Sequence, residues 1–417
     1  MMPRQAVNCL SLAIAGTASA MAAAAAAQDA PRPELRISGG MEVSSNPFLL
    51  PEGAEEGVAA YISVDPSIFL EEGRNTTVLD GSLRATQFFN GYGTDASGSL
   101  GLRTERGLSE RTRLNLGARI ISSRRPFLDG LVGADDNLGA NDPNALPEPP
   151  VLDPTLIGEV IRSTTISATG GIAHALSPTS SLSATAALSR TDFSNNFGFD
   201  VRSVSASLGY GRQISPQTAL SLTGQFASFD FSENAPEFSG AELGDTRVYS
   251  LRPGLETQIG SRWSLSLAGG VDLVNRDLGL EGSDTSTLVS GNLSLCNTGL
   301  RSSLCVSGQR AAQPLAIGGV ATVLSVGVTY RLEISQDDTV NFRSQFGRTD
   351  QSLDEGFQTG ITEINIFGVN GSYTRDLSNQ TSLNVTIGYT DVSDNLRNVP
   401  SNLFARVGIT LAFGRRR

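Results

Sequence analysis

The chain contains no lysine; its 31 basic residues are all arginine, set against 42 acidic ones for a formal net charge of −11. That acid excess excludes a general nucleic-acid binder, whose phosphate contacts need a basic surface. Histidine is nearly absent as well, with His174 alone, so a His-dependent catalytic set exists only if that one residue takes part. Charged residues make up 18% of the chain, low for a soluble globule. No later segment is long and apolar enough for a membrane helix. The nearest approach, Pro314 to Tyr330, is free of charge but carries Gly318, Gly319 and Gly327 among β-branched residues, and reads as the end of a loop plus a strand.

What is abundant is glycine, 45 residues, with Ser, Thr and Asn, a mixture suited to strands and turns. The first 27 residues read as a secretory signal: Arg4 gives a small basic start, Leu10 to Ala27 is an Ala-rich apolar stretch, and Ala25-Ala26-Ala27 is a cleavage site before Gln28. Cys9 leaves with it. A lipidated Cys9 does not fit, because the apolar stretch follows that residue instead of preceding it.

The organising signal is a repeated phrase in which an apolar residue, a compact polar turn and a second apolar residue follow one another. It spans 108–114, 176–182, 214–220, 259–265, 334–340 and 377–383, as in Leu108-Ser-Glu-Arg-Thr-Arg-Leu114 and Leu377-Ser-Asn-Gln-Thr-Ser-Leu383, with a less regular seventh copy at 71–76. These are hairpin tips. Their flanks alternate with period two: Leu114, Leu116, Ala118 and Ile120 oppose Arg113, Asn115 and Arg119, and Val204, Ala206, Leu208 and Tyr210 oppose Ser203, Ser205 and Ser207. The other strand ends join through longer segments, Arg124 to Glu159, Ser232 to Asp245 and Leu278 to Ala316. Short turns at one end and long loops at the other are the asymmetry of outer-membrane barrels.

The sequence therefore predicts an all-β transmembrane antiparallel up-and-down β-barrel of about 16 strands, with short periplasmic turns and long extracellular loops. Its organisation is expected to be a signal peptide over 1–27, a short periplasmic segment over 28–35, the barrel over 36–413 and a basic tail over 414–417. The last strand alternates Val407, Ile409, Leu411 and Phe413 against Arg406, Gly408, Thr410 and Ala412. It resembles the C-terminal signal recognised by the barrel-insertion machinery, with Phe413 as the closing aromatic; Gly414-Arg-Arg-Arg417 after it departs from that pattern.

A barrel that wide leaves a water-filled interior unless something plugs it. Its polar face is expected to carry Arg84, Arg103, Glu105, Arg113, Arg119, Arg252, Glu256, Arg331, Glu333, Arg343, Glu363 and Arg406 as pore-lining residues, either pairing to stiffen the wall or forming a polar track for anionic or sugar solutes. The long segments at 124–159 and 278–318 are candidates to fold inward and narrow the pore. Cys296 and Cys305 lie nine positions apart in a Gly/Ser/Asn-rich stretch and are expected to form a loop disulfide; a free pair comes next, and metal binding last, because no His is near. No catalytic residue, metal site or cofactor is expected. His174 precedes a periplasmic tip and reads as an interfacial or lumen polar residue. Gly91-Tyr-Gly-Thr-Asp-Ala96 formally matches a dinucleotide-binding phrase but sits in a hairpin connection and reads as a turn. Asp135, Asp136 and Asp142 read as a solvated acidic loop, with Ca²⁺ as the alternative.

Size, the opening strand ending Ser44-Ser-Asn-Pro-Phe48 and the repeated Leu-Ser-x-x-Thr-x-Leu tips resemble the β-barrel porin 2 family, which includes barrels encoded beside exopolysaccharide genes. That resemblance implies a Gram-negative outer-membrane location and a part in polysaccharide export, without supplying catalytic residues. The expected function is a pore for passive diffusion or export of polar or anionic solutes. A structural or adhesin-like barrel binding partners through its loops is the alternative, and an outer-membrane hydrolase a more distant one. Expected partners are outer-membrane lipid and lipopolysaccharide, the insertion machinery and polysaccharide-export components, with no nucleic acid.

Overall fold

A computed structural model describes residues 31–50, 55–124, 161–194, 199–233, 245–277, 283–315, 320–350, 363–394 and 401–414. The signal segment, the three terminal arginines and the acidic loop with Asp135, Asp136 and Asp142 lie outside these. Eighteen strands follow one another: β1 Arg32–Ser44, β2 Gly57–Glu72, β3 Asn75–Phe88, β4 Thr94–Gly107, β5 Thr112–Ser123 and β6 Ser163–Ser177. Next come β7 Ser180–Phe193, β8 Phe199–Ser215, β9 Thr218–Glu233, β10 Thr246–Ile259, β11 Trp263–Asp277 and β12 Ser283–Thr298. The last six are β13 Ser302–Pro314, β14 Val320–Glu333, β15 Asp338–Asp350, β16 Glu363–Asp376, β17 Thr381–Asp394 and β18 Asn402–Phe413.

Each strand pairs antiparallel with its chain neighbours, and β18 returns to pair with β1, from Leu35 opposite Phe413 to Ser44 opposite Phe404. The sheet is thus a closed up-and-down barrel, the arrangement that leaves no open edge between first and last strand. All seven repeated polar phrases are turns between strands at one end, and both ends of the described chain lie there too. The Gly91 phrase is the β3–β4 connection, with Gly91 and Gly93 at positive φ.

Period-two alternation sorts the two faces. Leu116, Leu208, Leu251, Ile387 and Val407 lie exposed on one face, while their immediate neighbours Asn115, Ser207, Arg252, Thr386 and Arg406 share the other. In a closed barrel only one face can be outside, and a wall that exposes Leu, Ile and Val on nearly every strand is stable against lipid chains and not against water. The apolar face is the membrane face; the Ser, Thr and charged face lines the lumen.

Two strands exceed the expected sixteen, both inside the segment read as a long loop over 278–316. β12 and β13 form a hairpin closed by a three-residue turn, Gly299 to Arg301. Cys296 and Cys305 are directly opposed on it, Cα atoms 4.1 Å apart, and joined by a disulfide. The pair stands in the wall, facing the lumen near the short-turn end, and not in an extracellular loop. This hairpin escapes a hydropathy reading because its membrane face carries Thr285, Thr287, Gly291 and Asn297 between Val289, Leu293 and Leu295, so alternation is diluted. Replacing both cysteines by Ser removes the constraint on a short loop that the strand ladder also holds, a loss of about 2 kcal/mol. The variant should still assemble, and its gel mobility should revert to the unfolded position at a lower temperature than the parent's under non-reducing conditions.

The wall forks just above that hairpin. β12 pairs with β11 along nearly its whole length and β13 with β14 from Ser302 to Pro314, but β12 and β13 pair with each other only between Gly291–Thr298 and Ser303–Arg310. Beyond the fork, Val320, Ala321, Thr322 and Val323 are buried on both faces. Val320 packs with Val201 and Phe231, which line the lumen on β8 and β9, and Ala312 joins the same cluster. The distal ends of β13 and β14 therefore pack into the barrel interior, while β14 stays paired with β15 as far as Thr322 opposite Asp350.

Candidate functional site

Eleven of the twelve sequence-derived pore-lining residues share the lumen face: Arg84, Arg103, Glu105, Arg113, Arg119, Arg252, Glu256, Arg331, Glu333, Arg343 and Arg406. Glu363 does not. It sits opposite Asp350 on the outer face, and Arg348 joins both, at 2.8 Å to Asp350 and 3.0 Å to Glu363. The polar-inside rule inverts at this end of β16 because Ile364 and Ile366 are the buried inward residues, while the outer face has risen past the apolar band.

The tightest charged group inside is centred on Glu42, which the sequence pattern does not single out. Its Oε2 accepts hydrogen bonds from Arg406 Nη2 at 2.7 Å and Nε at 3.0 Å, and from Arg84 Nη2 at 3.3 Å. Both guanidinium groups lie over the Tyr61 ring, 4.5 and 5.4 Å from its centre. Glu42 is buried, so this carboxylate bridging β1, β3 and β18 is held by charge-assisted bonds in a site water barely reaches. Strand parity was the available signal: Glu42 stands between Met41 and Val43, both on the membrane face.

Half-way round the barrel, Arg252 forms a second group. Its Nη2 reaches both oxygens of Asp272 at 3.1 and 3.2 Å, its Nε donates to Ser290 Oγ at 3.0 Å and its Nη1 to Gln225 at 3.4 Å, while Ser290 donates to Asp272 at 2.5 Å. Asp272 is buried. These two groups are structural pairs as much as lumen charges. Nearer the short turns the pairing loosens: Arg103 and Asp80 stand 3.9 Å apart and Arg113 and Glu105 3.8 Å, with about three-quarters of each arginine side chain in water. Arg119 completes this strip, its Nε buried without a hydrogen-bond partner among the described residues.

Next to the strip, from β6 onward, the chemistry changes. The inward positions of β6, β7 and β8 carry no charge; they include Thr165, Ser167, Ser181, Ser183, Thr185, Ser189, Ser203, Ser205 and Ser207. Neighbouring hydroxyls bond across strands, as Thr185 to Ser207 and Ser189 to Ser203, each at 2.6 Å. The lumen thus carries an arginine-and-carboxylate strip over β1 to β5 and β18 and, beside it, a hydroxyl strip over β6 to β8, with further charged residues inward on β10, β11, β14 and β15.

At the long-loop end the interior narrows. After β1 the chain turns inward at Asn46, whose side-chain amide donates to the Leu50 carbonyl at 3.1 Å and whose oxygen accepts from the Leu50 N–H at 2.9 Å. Asn402 of β18 fixes the turn from below, accepting from Ser44 Oγ at 2.6 Å and from the Asn46 N–H at 3.0 Å. Phe48, Phe88 and Tyr92 stack above it, ring centres 4.9 to 5.6 Å apart. The distal limbs of β13 and β14 fill the opposite side. His174 stands apart from all of this: it shares the outer face with Thr112 near the short turns, its Nδ1 2.9 Å from Thr112 Oγ1. Phe413 also faces outward there, opposite Leu35.

No family model matches the chain, and no curated protein matches it in sequence. Solved structures similar in shape include the FrpB iron transporter from Neisseria meningitidis (F3-3 variant), at 8% identity over 92% of this chain and 81% of that one, TM-score 0.49. Others are Pseudomonas aeruginosa OccK2 (OpdF) in complex with glucuronate, at 11% identity over 92% and 98% of the two chains, TM-score 0.46, and a BenF-like porin from Pseudomonas fluorescens Pf-5, at 11% over 92% and 98%, TM-score 0.44.

Proposed function

We propose that the chain is a passive pore of the bacterial outer membrane for polar, anionic solutes. The observation that carries this is the lining of the lumen: an arginine-and-carboxylate strip in which the Arg103 and Arg113 side chains stand mostly in water, directly beside an uncharged hydroxyl strip over β6 to β8. Such an arrangement offers cationic donors to an acidic group and neutral donors and acceptors to the rest of a hydroxylated solute. The finer reading, export of an acidic polysaccharide, rests on the same two strips and on the resemblance to exopolysaccharide-linked barrels. In this proposal Phe413 serves insertion, and outer-leaflet lipid is the partner of the apolar face.

Planar-bilayer recording of the purified protein tests it. Discrete conductance steps are expected, with a reversal potential displaced toward the anion in a salt gradient and steps partly blocked by acidic sugars more than by neutral ones. Absence of steps, or cation preference, overturns the proposal.

A further inference from the structure

We propose that the junction of β5 and β6, where the arginine strip meets the hydroxyl strip, is a binding site for one sugar-acid unit. Arg119 takes the carboxylate, Ser167 and Thr169 take the hydroxyls, and Asn115 closes the side toward the short turns. This rests on the pore proposed above and names the solute it selects. The ladder sets three rungs facing the lumen: Asn115 opposite Gly171, Gly117 opposite Thr169 and Arg119 opposite Ser167. Arg119 and Thr169 are thus diagonal neighbours, their Cα atoms about 8 Å apart by strand geometry, the span of a single sugar ring with a hydrogen bond at either side.

Hydrogen bonding sets this patch apart from its surroundings. On one side Arg84 and Arg406 have Glu42, Arg103 has Asp80 and Arg113 has Glu105. On the other, Thr165 bonds Thr191, Thr185 bonds Ser207 and Ser189 bonds Ser203. Between them, Asn115, Arg119, Ser167 and Thr169 have no side-chain hydrogen bond or ion pair among the described residues. Arg119 is half-buried, with its Nε sealed from water, so it carries its charge without the carboxylate that the other arginines of the strip possess. A partly desolvated cation without a partner is costly, and an arriving carboxylate offsets that cost through a charge-assisted bond.

The glycines give the patch its depth. Thr169 Oγ1 lies 2.7 Å from the point that a Cβ on Gly117 would occupy, so the hydroxyl leans across the ladder over β5, into the gap between Asn115 and Arg119. Gly171, next in line beyond Thr169 on the lumen face of β6, leaves that position without a side chain as well. The solute that meets all of these groups carries one carboxylate beside several hydroxyls, which is a uronic acid. A neutral sugar leaves Arg119 unpaired, and a simple carboxylate leaves the hydroxyls unmet.

Calorimetric titration of the assembled barrel in detergent, and block of its conductance, test the site with galacturonate, galactose and propionate. Galacturonate is expected to bind about tenfold or more tighter than either of the others. Arg119→Gln should weaken galacturonate by about tenfold. Ser167→Ala with Thr169→Val should weaken it by about threefold or more and leave propionate unchanged. Gly117→Ala, which displaces the Thr169 hydroxyl without altering lumen charge, should cost about threefold. Compact gel mobility first confirms that each variant has assembled. Where Arg119→Gln does not assemble, Arg119→Lys, which keeps the charge but lacks the planar fork, and the hydroxyl variants decide. Parent affinity for galacturonate in Arg119→Gln overturns the site, as does an equal loss of propionate and galacturonate in the hydroxyl variants. Trigalacturonate binding tighter than the monomer identifies the unit as part of a chain, and equal affinity identifies the free sugar acid; either result keeps the site. The expected binding pattern in a protein that never conducts would count against the pore and not the site. Anion-selective conductance with galacturonate affinity indifferent to Arg119→Gln would do the reverse.

Discussion

Glu42→Gln is expected to lower the temperature at which the barrel loses its compact gel mobility more than any other single substitution among the lumen charges, and to shift its reversal potential further toward the anion. The amide keeps the shape of the carboxylate, so packing against Tyr61 and β18 is preserved and only charge is removed. Arg84 and Arg406 then lose the carboxylate they share while remaining stacked on the Tyr61 ring, with only 22% and 20% of their side chains exposed. Removing one partner from a buried ion pair costs about 3–5 kcal/mol because the other charges stay desolvated; the partial exposure of both arginines puts this case near the lower end, about 3 kcal/mol. The local charge of the trio rises from +1 to +2, and in a water-poor site that increment acts on passing ions with little screening. Unfolding followed by gel mobility against temperature gives the first effect, and recording in a salt gradient the second. A variant with the parent's midpoint and the parent's reversal potential would show that Glu42 neither holds the two arginines nor contributes to the field in the lumen.

How far the fold could be read from the sequence depended on how sharply the two faces differ. Where the membrane face is Leu, Ile or Val and the lumen face Ser, Thr or Arg, as at Leu114 to Ile120 and Val204 to Tyr210, the strand, its register and its inward residues follow from period two alone. Every short turn with an apolar bracket was legible as well, because Ser, Asn, Asp and Pro at tight turns act through local backbone bonding. The β12–β13 turn lacks that bracket: it runs Thr298, Gly299, Leu300, Arg301, with Leu300 almost fully exposed at the tip. Glu363 was misplaced for a related reason, since Ile364 and Ile366 are apolar residues pointing into the lumen, where the rule expects polarity. Glu42 and Asp272 had the right parity to be found, but nothing in a sequence ranks one lumen carboxylate above another. Their importance comes from which arginines the closure of the barrel brings to them, across β1, β3 and β18 in one case and β10 and β11 in the other. The inward packing of distal β13 and β14 left only a short trace, Val320 to Val323 buried on successive positions before the alternation of Leu324 to Glu333, and its meaning depends on where the β12–β13 ladder ends, which is a long-range fact.

The second large effect concerns the seam where the barrel closes. Gly40 of β1 and Gly408 of β18 are register partners in the middle of the ladder from Leu35–Phe413 to Ser44–Phe404. Both belong to the lumen face, beneath the Tyr61 hydroxyl. A Cβ at Gly40 would run into the Val407 carbonyl oxygen and the Gly408 Cα, and one at Gly408 into the Tyr61 hydroxyl. Gly40→Val would thus require β1 to withdraw from β18, because the obstruction is backbone and has no rotamer to yield. The ladder that joins the two ends of the chain is also the only one with no connecting turn to restore it, so its loss leaves two unpaired edges in lipid. Gly40→Val is therefore expected to abolish formation of the heat-modifiable species, with the chain recovered unfolded or degraded. Gly39→Val supplies the contrast: its side chain would project to the membrane face, where the nearest atom to a new Cβ is the Tyr61 carbonyl oxygen at 3.7 Å, and it should assemble like the parent. Tyr61→Phe separates the two lumen glycines. It removes the hydroxyl that crowds Gly408 but leaves the Val407 carbonyl in place, so it should relieve a Gly408→Ala defect and not a Gly40→Val defect. Normal assembly of Gly40→Val would mean that the close approach of β1 and β18 at this rung is not required for closure.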